Sequence, residues 1–137
     1  MPTQARRKRY LPYRLDKANL PEGNCMLFVF VHNTLIGTGS FLIHPNQKLR
    51  HGADIVSVYI KPAYRGKGIG RALLQALIDE AKSYSFLENL VLTVTSTQAA
   101  AIALYESLGF IQQGVLPRNI KIDGTYYDQI IMVKFLR

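Results

Sequence analysis

The residues that follow Ile60 combine glycines and basic side chains in a pattern suited to binding phosphate. They read, in order, Arg65, Gly66, Lys67, Gly68, Ile69, Gly70 and Arg71. An apolar run precedes this segment and a helical pattern follows it, so its backbone N–H groups would lie at the positive end of a helix dipole. The segment therefore predicts a loop that binds a pyrophosphate.

The spacing of the glycines excludes two common phosphate-binding motifs. A P-loop needs Gly-Lys followed by Ser or Thr, but Gly68 is followed by Ile69. A dinucleotide-binding fingerprint needs Gly-x-Gly-x-x-Gly and an acidic residue about 20 positions further on. Here the glycines alternate evenly, and Asp79 and Glu80 fall inside the first predicted helix. The pattern that remains is Arg-x-x-Gly-x-Gly, which begins at Arg65.

Three separate segments resemble the GNAT superfamily of acetyl-CoA-dependent N-acetyltransferases. The first is this loop with the strand before it and the helix after it. The second is the run 101–110, which contains Tyr105, and the third joins 114–116, 123–128 and Met132. The resemblance spans about 26–136. A merely flexible turn would explain the glycines but not Arg65, the following helix or Tyr105.

The resemblance implies an α/β (α+β) fold: a mixed, mostly antiparallel sheet flanked by helices. It also implies that the strand 54–60 splays from the strand 90–95, with acetyl-CoA between them and its pantetheine arm paired to the backbone of Val58 and Ile60. Gln98 stands where the family often has Asn. The cofactor-binding residues expected on this basis are Val58, Tyr59, Ile60, Arg65, Gly66, Lys67, Gly68, Ile69, Gly70, Arg71 and Gln98.

The resemblance also implies catalytic roles. Tyr105 would protonate the departing thiolate, because a phenol is protonated at neutral pH, and a backbone N–H near Tyr59 would stabilise the oxyanion. Asp54 is a base candidate, since strand parity would place it on the face of Val58 and Ile60. His51 is an alternative base, and the amine could also lose its proton to water. We expect no metal site.

The chain is short where the family usually places the elements that wall the acceptor pocket. Only 1–25 precedes the first apolar strand, which leaves room for one short helix near 5–11. We therefore expect either an open acceptor side or one completed by a second subunit in a homodimer. Asp128 could face the acceptor ammonium, or it could be a surface acid on an edge strand.

The remaining pattern predicts the elements that position these residues. Strands are expected at 26–32, 35–42, 54–60, 90–95, from residue 110 onward and at 126–136, with a hairpin turn at Asp123 and Gly124. An apolar stripe predicts a helix that begins at Ile69. A second helix at 98–108 would be capped by Ser96 or Thr97 and stopped by Gly109. Residues 1–24 form a poorly patterned basic segment, and 25–137 would form one acetyltransferase domain.

Composition limits the remaining possibilities. The chain has 137 residues, 48% hydrophobic and 19% charged, with no apolar run of membrane-spanning length. We expect no secretory signal, because no apolar segment follows the basic residues near the N-terminus. The single cysteine favours a reducing cytoplasm. The net charge of +8 is concentrated partly in the basic N-terminus, which would bind nucleic acid only non-specifically.

These observations predict an acetyltransferase that moves an acetyl group from acetyl-CoA to a primary amine of a small molecule or peptide. Two other functions remain open. One is an acyl-CoA-binding module of the same fold that has lost catalysis, and the other is an RNA-binding domain that uses Arg6–Arg9. No membrane partner is expected.

Overall fold

A computed structural model describes residues 13–137. Its elements are β1 Tyr13–Asn19, β2 Cys25–Val31, β3 Thr34–Ile43, β4 Gly52–Ile60, α1 Ile69–Lys82, β5 Asn89–Thr95, α2 Ala99–Ser107, β6 Ile111–Ile122 and β7 Thr125–Phe135. The strands form one sheet in the order β1-β2-β3-β4-β5-β7-β6. The β4–β5 pair is parallel, whereas β1–β2, β2–β3, β5–β7 and β6–β7 are antiparallel. The predicted mixed, mostly antiparallel sheet is confirmed.

The sequence pattern located these elements to within two residues, with the exception of β1 and of the end of β6, which the pattern left open. The structure shows Tyr13–Asn19 paired in register with β2, from Tyr13 opposite Val31 to Asn19 opposite Cys25. The short helix considered near residues 5–11 lies outside the described residues. Within residues 13–137, no helix is long and apolar enough to cross a membrane.

The described chain divides into two compact units. The first contains β1, β2, β3, α1 and residues Ile55–Ser83. Helix α1 packs on β2 and β3 through a buried stripe of Ile69, Leu73, Leu74, Leu77, Ile78 and Ala81. Gly39 permits this packing, because a Cβ atom there would lie 3.0 Å from Leu77 Cδ1.

The second unit contains residues His44–Asp54 and Tyr84–Arg137. Its core includes Leu90 on β5 and Met132 on β7, both fully buried. Strands β6 and β7 form a hairpin whose turn residues, Asp123 and Gly124, have φ angles of 49° and 81°. Two successive positive φ angles are those of the tight hairpin turn that the sequence predicts.

Strand β6 lies at the edge of the sheet and is interrupted near its middle. Its register with β7 shifts between Leu116 and Ile120, and Arg118 has a φ of 54°. Ile111, Val115 and Ile122 are each more than half exposed on this strand. The hairpin thus carries apolar side chains on a strand whose pairing is irregular.

The start of α2 differs from the prediction. Its N-cap is Gln98, which makes no side-chain capping hydrogen bond, so the predicted cap at Ser96 or Thr97 is wrong. The Ser96 N–H instead donates to the Asp128 carbonyl oxygen at 2.9 Å, and this bond draws the residue into the sheet. The predicted stop is correct, since Gly109 has a φ of 97° directly after the helix.

Candidate active site

The loop between β4 and α1 has the backbone conformation that close approach of a ligand requires. Gly66 and Gly68 have φ angles of 74° and 84°, a region that side chains with a Cβ rarely occupy. A Cβ atom at either position would meet no atom within 4 Å, so open space lies beside both residues. Gly70 differs from them, because it has no positive φ and lies in the first turn of α1.

The N-terminus of α1 has no side-chain capping hydrogen bond. Its N-cap is Gly68, which has no side chain to accept a hydrogen bond, and its first turn contains no acidic residue. The first main-chain bond of the helix runs from Ala72 N–H to the Gly68 carbonyl oxygen. The N–H groups of Ile69 and Gly70 precede this bond and therefore have no partner within the helix. These donors and the helix dipole favour an anion at this end.

The basic side chains of the loop differ in their surroundings. Arg65 folds back onto β4: its Nε–H donates to the Ile60 carbonyl oxygen at 2.7 Å, and its guanidinium lies 5.3 Å from the centre of the Tyr59 ring. Lys67 and Arg71 are exposed on the loop and on the first turn of α1. Lys67 lies between Gly66 and Gly68 and Arg71 follows Gly70, so positive charge lies along the glycine segment.

The end of β4 presents an edge that β3 does not use. The Lys61 N–H donates to the Ile36 carbonyl oxygen, and the Ser57 carbonyl oxygen accepts from Thr38 Oγ1, so both groups face β3. Main-chain groups alternate between the two edges of a strand. The N–H and C=O groups of Val58 and Ile60 therefore point away from β3.

Strand β5 does not pair with that part of β4 in the described chain. The β4–β5 pairs comprise Gly52, Ala53 and Asp54 only, and they end at Asp54 opposite Val91. Beyond this point β5 continues to pair with β7 as far as Thr95. Val58 therefore lies beyond the part of β4 that these pairs occupy, and buried main-chain groups on a strand edge require partners.

The alternation of side chains along β4 changes at Ser57. This residue has a φ of 57°, and the buried positions shift from Ala53 and Ile55 before it to Ile60 after it. The prediction that parity places Asp54 on the face of Val58 and Ile60 is therefore wrong. A residue with left-handed backbone acts like the extra residue of a β-bulge, so the side chains after it point to the opposite face from the one that strict alternation predicts. The sequence pattern did not reveal this irregularity.

Asp54 has a partner that the sequence analysis missed. Its Oδ1 lies 3.3 Å from Nε2 of His44, and both side chains are partly exposed. His44 is held near β4 because its N–H donates to the Gly52 carbonyl oxygen. His51, the alternative base, contributes its carbonyl oxygen to the Glu88 and Asn89 N–H groups. Asp54 and His44 lie ten residues apart, so no local motif indicated the pair.

Tyr105 lies on α2 and is partly buried. Its ring packs edge-on against Phe110 with the centroids 6.0 Å apart, and the Tyr105 carbonyl oxygen accepts from the Phe110 N–H, which closes the end of the helix. Burial raises the pKa of the Tyr105 phenol above its ordinary value. The hydroxyl consequently keeps its proton throughout the neutral range, as a proton donor must.

Two further positions complete the predicted set. Gln98, at the N-cap of α2, is exposed, so its amide is accessible to a ligand. The Asp128 carboxylate accepts a hydrogen bond from the Arg118 N–H at 2.9 Å. Asp128 is therefore engaged in the β6–β7 hairpin.

The loop lies within a segment that matches a known protein family. The model of the "Acetyltransferase (GNAT) family" matches residues 2–110. The chain belongs to the GNAT acetyltransferase family. Proteins of this family use acetyl-CoA, whose diphosphate is the type of anion that the loop and the uncapped helix favour.

Individual GNAT relatives agree with this assignment. The chain is 45% identical over 82 residues to the [ribosomal protein bS18]-alanine N-acetyltransferase of Escherichia coli, covering 58% of this chain and 53% of the relative. It is also 45% identical over 76 residues to the L-methionine sulfoximine/L-methionine sulfone acetyltransferase of Salmonella typhimurium, covering 56% and 44%. The chain thus spans about half the length of the curated relatives it matches.

Solved GNAT structures share the fold. The structure of yncA from Salmonella typhimurium with its cofactor acetyl-CoA superposes with a TM-score of 0.78 at 32% identity, covering 84% of this chain and 66% of that one. A ribosomal-protein-alanine N-acetyltransferase from Brucella melitensis gives a TM-score of 0.76 at 31% identity, covering 83% and 70%. The resemblance read from the loop is confirmed.

Proposed function

We propose that this protein transfers the acetyl group of acetyl-CoA to a primary amine. The observation that carries the proposal is the loop of a GNAT family member with Gly66 and Gly68 at positive φ and an uncapped helix behind it. Acetyl-CoA supplies an activated thioester. The protein supplies the N–H groups of Gly66 to Arg71 for the diphosphate, with charge from Lys67 and Arg71.

The free edge of β4 supports a binding role for Val58 and Ile60. Their main-chain groups face away from β3. The Ile60 carbonyl oxygen is already held by Arg65, and the amides of the pantetheine arm can pair with the remaining groups as an added strand does. Each such hydrogen bond contributes about 1 kcal/mol. A main-chain N–H near Tyr59 would stabilise the oxyanion, and the Gln98 amide is a further polar contact for the same arm.

Tyr105 is proposed as the general acid. Attack by the amine expels a thiolate, which needs a proton, and a buried phenol with a raised pKa holds one at neutral pH. Asp54 is proposed as the group that accepts the proton of the amine, with His44 at 3.3 Å as its partner. Histidine beside a carboxylate is a common arrangement for moving protons.

The acceptor is proposed to be a small-molecule or peptide amine. The two curated relatives named above differ in this respect, since one acetylates the alanine of a ribosomal protein and the other acetylates methionine sulfoximine or sulfone. The single cysteine is consistent with a reducing compartment such as the cytoplasm. The acetyltransferase domain, expected at 25–137 after a basic segment 1–24, is proposed to include β1 Tyr13–Asn19 as well, because that strand pairs with β2.

A coupled binding and turnover experiment tests the function. Calorimetry measures acetyl-CoA binding, and a thiol-release assay measures turnover on methionine sulfone, on an alanine-terminated peptide and on a panel of simple amines. We expect binding together with amine-dependent release of thiol. Binding without turnover on any amine would instead identify a cofactor-binding module. Failure to bind acetyl-CoA would remove the whole proposal.

A further inference from the structure

Arg65 is the first residue of the loop motif, and its side chain points back toward the strand that precedes the loop. We propose that Arg65 is a positioning residue, which fixes the end of β4 and the start of the loop through the Ile60 carbonyl, and that it is not a ligand of the diphosphate. This inference rests on the proposed function, because it assigns a role within the same cofactor site.

Three contacts hold Arg65 to the residues just before it. Its Nε–H donates to the Ile60 carbonyl oxygen at 2.7 Å, which is short for such a bond and typical of a charged donor. Its guanidinium lies 5.3 Å from the Tyr59 ring centre, within cation–π range. Its main-chain N–H donates to the Pro62 carbonyl oxygen at 3.2 Å. The first two contacts hold the guanidinium of Arg65 against β4, and the third fixes its backbone.

The position of the Ile60 carbonyl makes its hydrogen bond with Arg65 important for the end of β4. It lies on the edge of β4 that faces away from β3, and Ile60 itself is buried. Without Arg65 this oxygen would lose its protein donor, and an unpaired polar group at a part-buried position is costly. The same residue ends the strand to which the pantetheine arm is proposed to pair.

Fixing Ile60 also restrains the other end of the glycine segment. The Cγ1 atom of Ile60 lies 3.9 Å from the position that a Cβ on Gly70 would take, so the Ile60 side chain lies beside the first turn of α1. Gly66 follows Arg65 directly and has a positive φ. Arg65 therefore anchors one end of the glycine segment while Ile60 packs against the other end, and the N–H groups between them gain a defined direction.

Two substitutions at residue 65 distinguish a hydrogen-bond donor to the Ile60 carbonyl from a positive charge that binds phosphate. In glutamine, Nε2 is the same number of bonds from Cα as Nε is in arginine, so Arg65→Gln keeps an N–H donor at that reach and loses the charge. Lysine has a methylene there, so Arg65→Lys keeps the charge and loses the donor. A positioning residue should tolerate glutamine better than lysine, whereas a phosphate ligand should show the reverse order.

The experiment measures acetyl-CoA affinity by calorimetry for the wild type, Arg65→Gln and Arg65→Lys at low and high salt, with thermal unfolding of each. We expect Arg65→Gln to bind within about threefold of wild type and Arg65→Lys to bind about tenfold more weakly, the effect of losing one charge-assisted hydrogen bond. The wild type and Arg65→Gln should lose affinity with salt in parallel, because no screened contact to phosphate has been removed.

The outcomes separate this inference from the proposed function. Better binding by Arg65→Lys than by Arg65→Gln, equal loss in both, or no loss in either would overturn the positioning role. If only Arg65→Lys fails to fold, the positioning role is supported, since that variant differs from wild type in the donor and not in the charge. A wild-type protein that does not bind acetyl-CoA would overturn the proposed function instead.

Discussion

The side chain of Ile60 occupies the space that a side chain on Gly37 would need. A Cβ atom at residue 37 would lie 2.5 Å from Ile60 Cδ1 and 3.0 Å from the Tyr59 carbonyl oxygen. A side chain at residue 37 would therefore require Ile60 or the backbone of β4 to shift, and glycine favours the close approach of strands β3 and β4. The end of β4 depends on this fit, and the loop begins there.

The first prediction concerns this fit. Gly37→Ala should reduce the free energy of unfolding by about 1–3 kcal/mol, because the added methyl group overfills the contact with Ile60 and with a main-chain oxygen. Gly114→Ala is a matched strand control, since a Cβ there would lie 3.8 Å from Ile131, an ordinary contact. Denaturant unfolding measures both. Equal stability of the two variants would show that β4 has room to move.

The second prediction concerns the backbone of the loop. Gly68→Ala and Gly124→Ala place a side chain at φ angles of 84° and 81°, in each case with open space around it. Both should lose about 1–2 kcal/mol of stability from backbone strain. Only Gly68→Ala should also weaken acetyl-CoA binding, by at least about tenfold, which corresponds to about 1.4 kcal/mol. Calorimetry that finds equal affinity in the two variants would remove Gly68 from the cofactor site.

The third prediction concerns Tyr105. Tyr105→Phe should lower kcat by about 10²-fold to 10⁴-fold, the usual contribution of a general acid, with little change in acetyl-CoA affinity. Tyr126→Phe, a partly exposed tyrosine of the β6–β7 hairpin, is the control and should retain its rate. Because burial raises the pKa of Tyr105, the alkaline fall in kcat should lie above pH 10, the ordinary value. A rate that is unaffected in Tyr105→Phe would exclude it as the acid.

The fourth prediction concerns Cys25, which is fully buried on β2. Burial, followed by the nearby Glu80 carboxylate, raises the pKa of its thiol, while Lys17 opposes the shift. The unfolded chain then releases the thiol proton at a lower pH than the folded chain, so this stabilisation is complete below about pH 8 and declines as the pH rises further.

The stability difference between the wild type and Cys25→Ala measures this contribution. We expect a constant difference in the free energy of unfolding from pH 6 to about pH 8, from the lost packing, and a smaller difference by pH 10. Urea unfolding across this range is the measurement. A difference that stays constant up to pH 10 would show that the folded and unfolded thiols titrate alike.

Most of the fold was predictable because its signals are local. The apolar stripe of α1 and the Asp123–Gly124 turn are each set by adjacent residues, and both lie where the sequence placed them. Strand β1 was missed because Tyr13–Asn19 is an edge strand with polar and charged residues and little buried surface. Its position depends on pairing with β2 and on the contact between Lys17 and Glu80.

The site, like the fold, was predictable only where its features depend on local residue type. The positive φ angles of Gly66 and Gly68 follow from residue type, so the loop itself was correctly described. Three features depend on contacts that the sequence does not display: the bond from Arg65 to the Ile60 carbonyl, the left-handed backbone of Ser57, and the pair of Asp54 with His44. Each depends on three-dimensional packing, which residue spacing does not encode.

The interruption of β6 has a consequence for solubility. Strand β6 is a twelve-residue edge strand with exposed Ile111, Val115 and Ile122. If it were uninterrupted, its edge could pair with a strand of another molecule and promote aggregation. Pro117 lacks an N–H donor, and Arg118 turns the chain out of its extended path. A second molecule's strand could pair with only one short half at a time, which lowers the tendency of this edge to promote such aggregation.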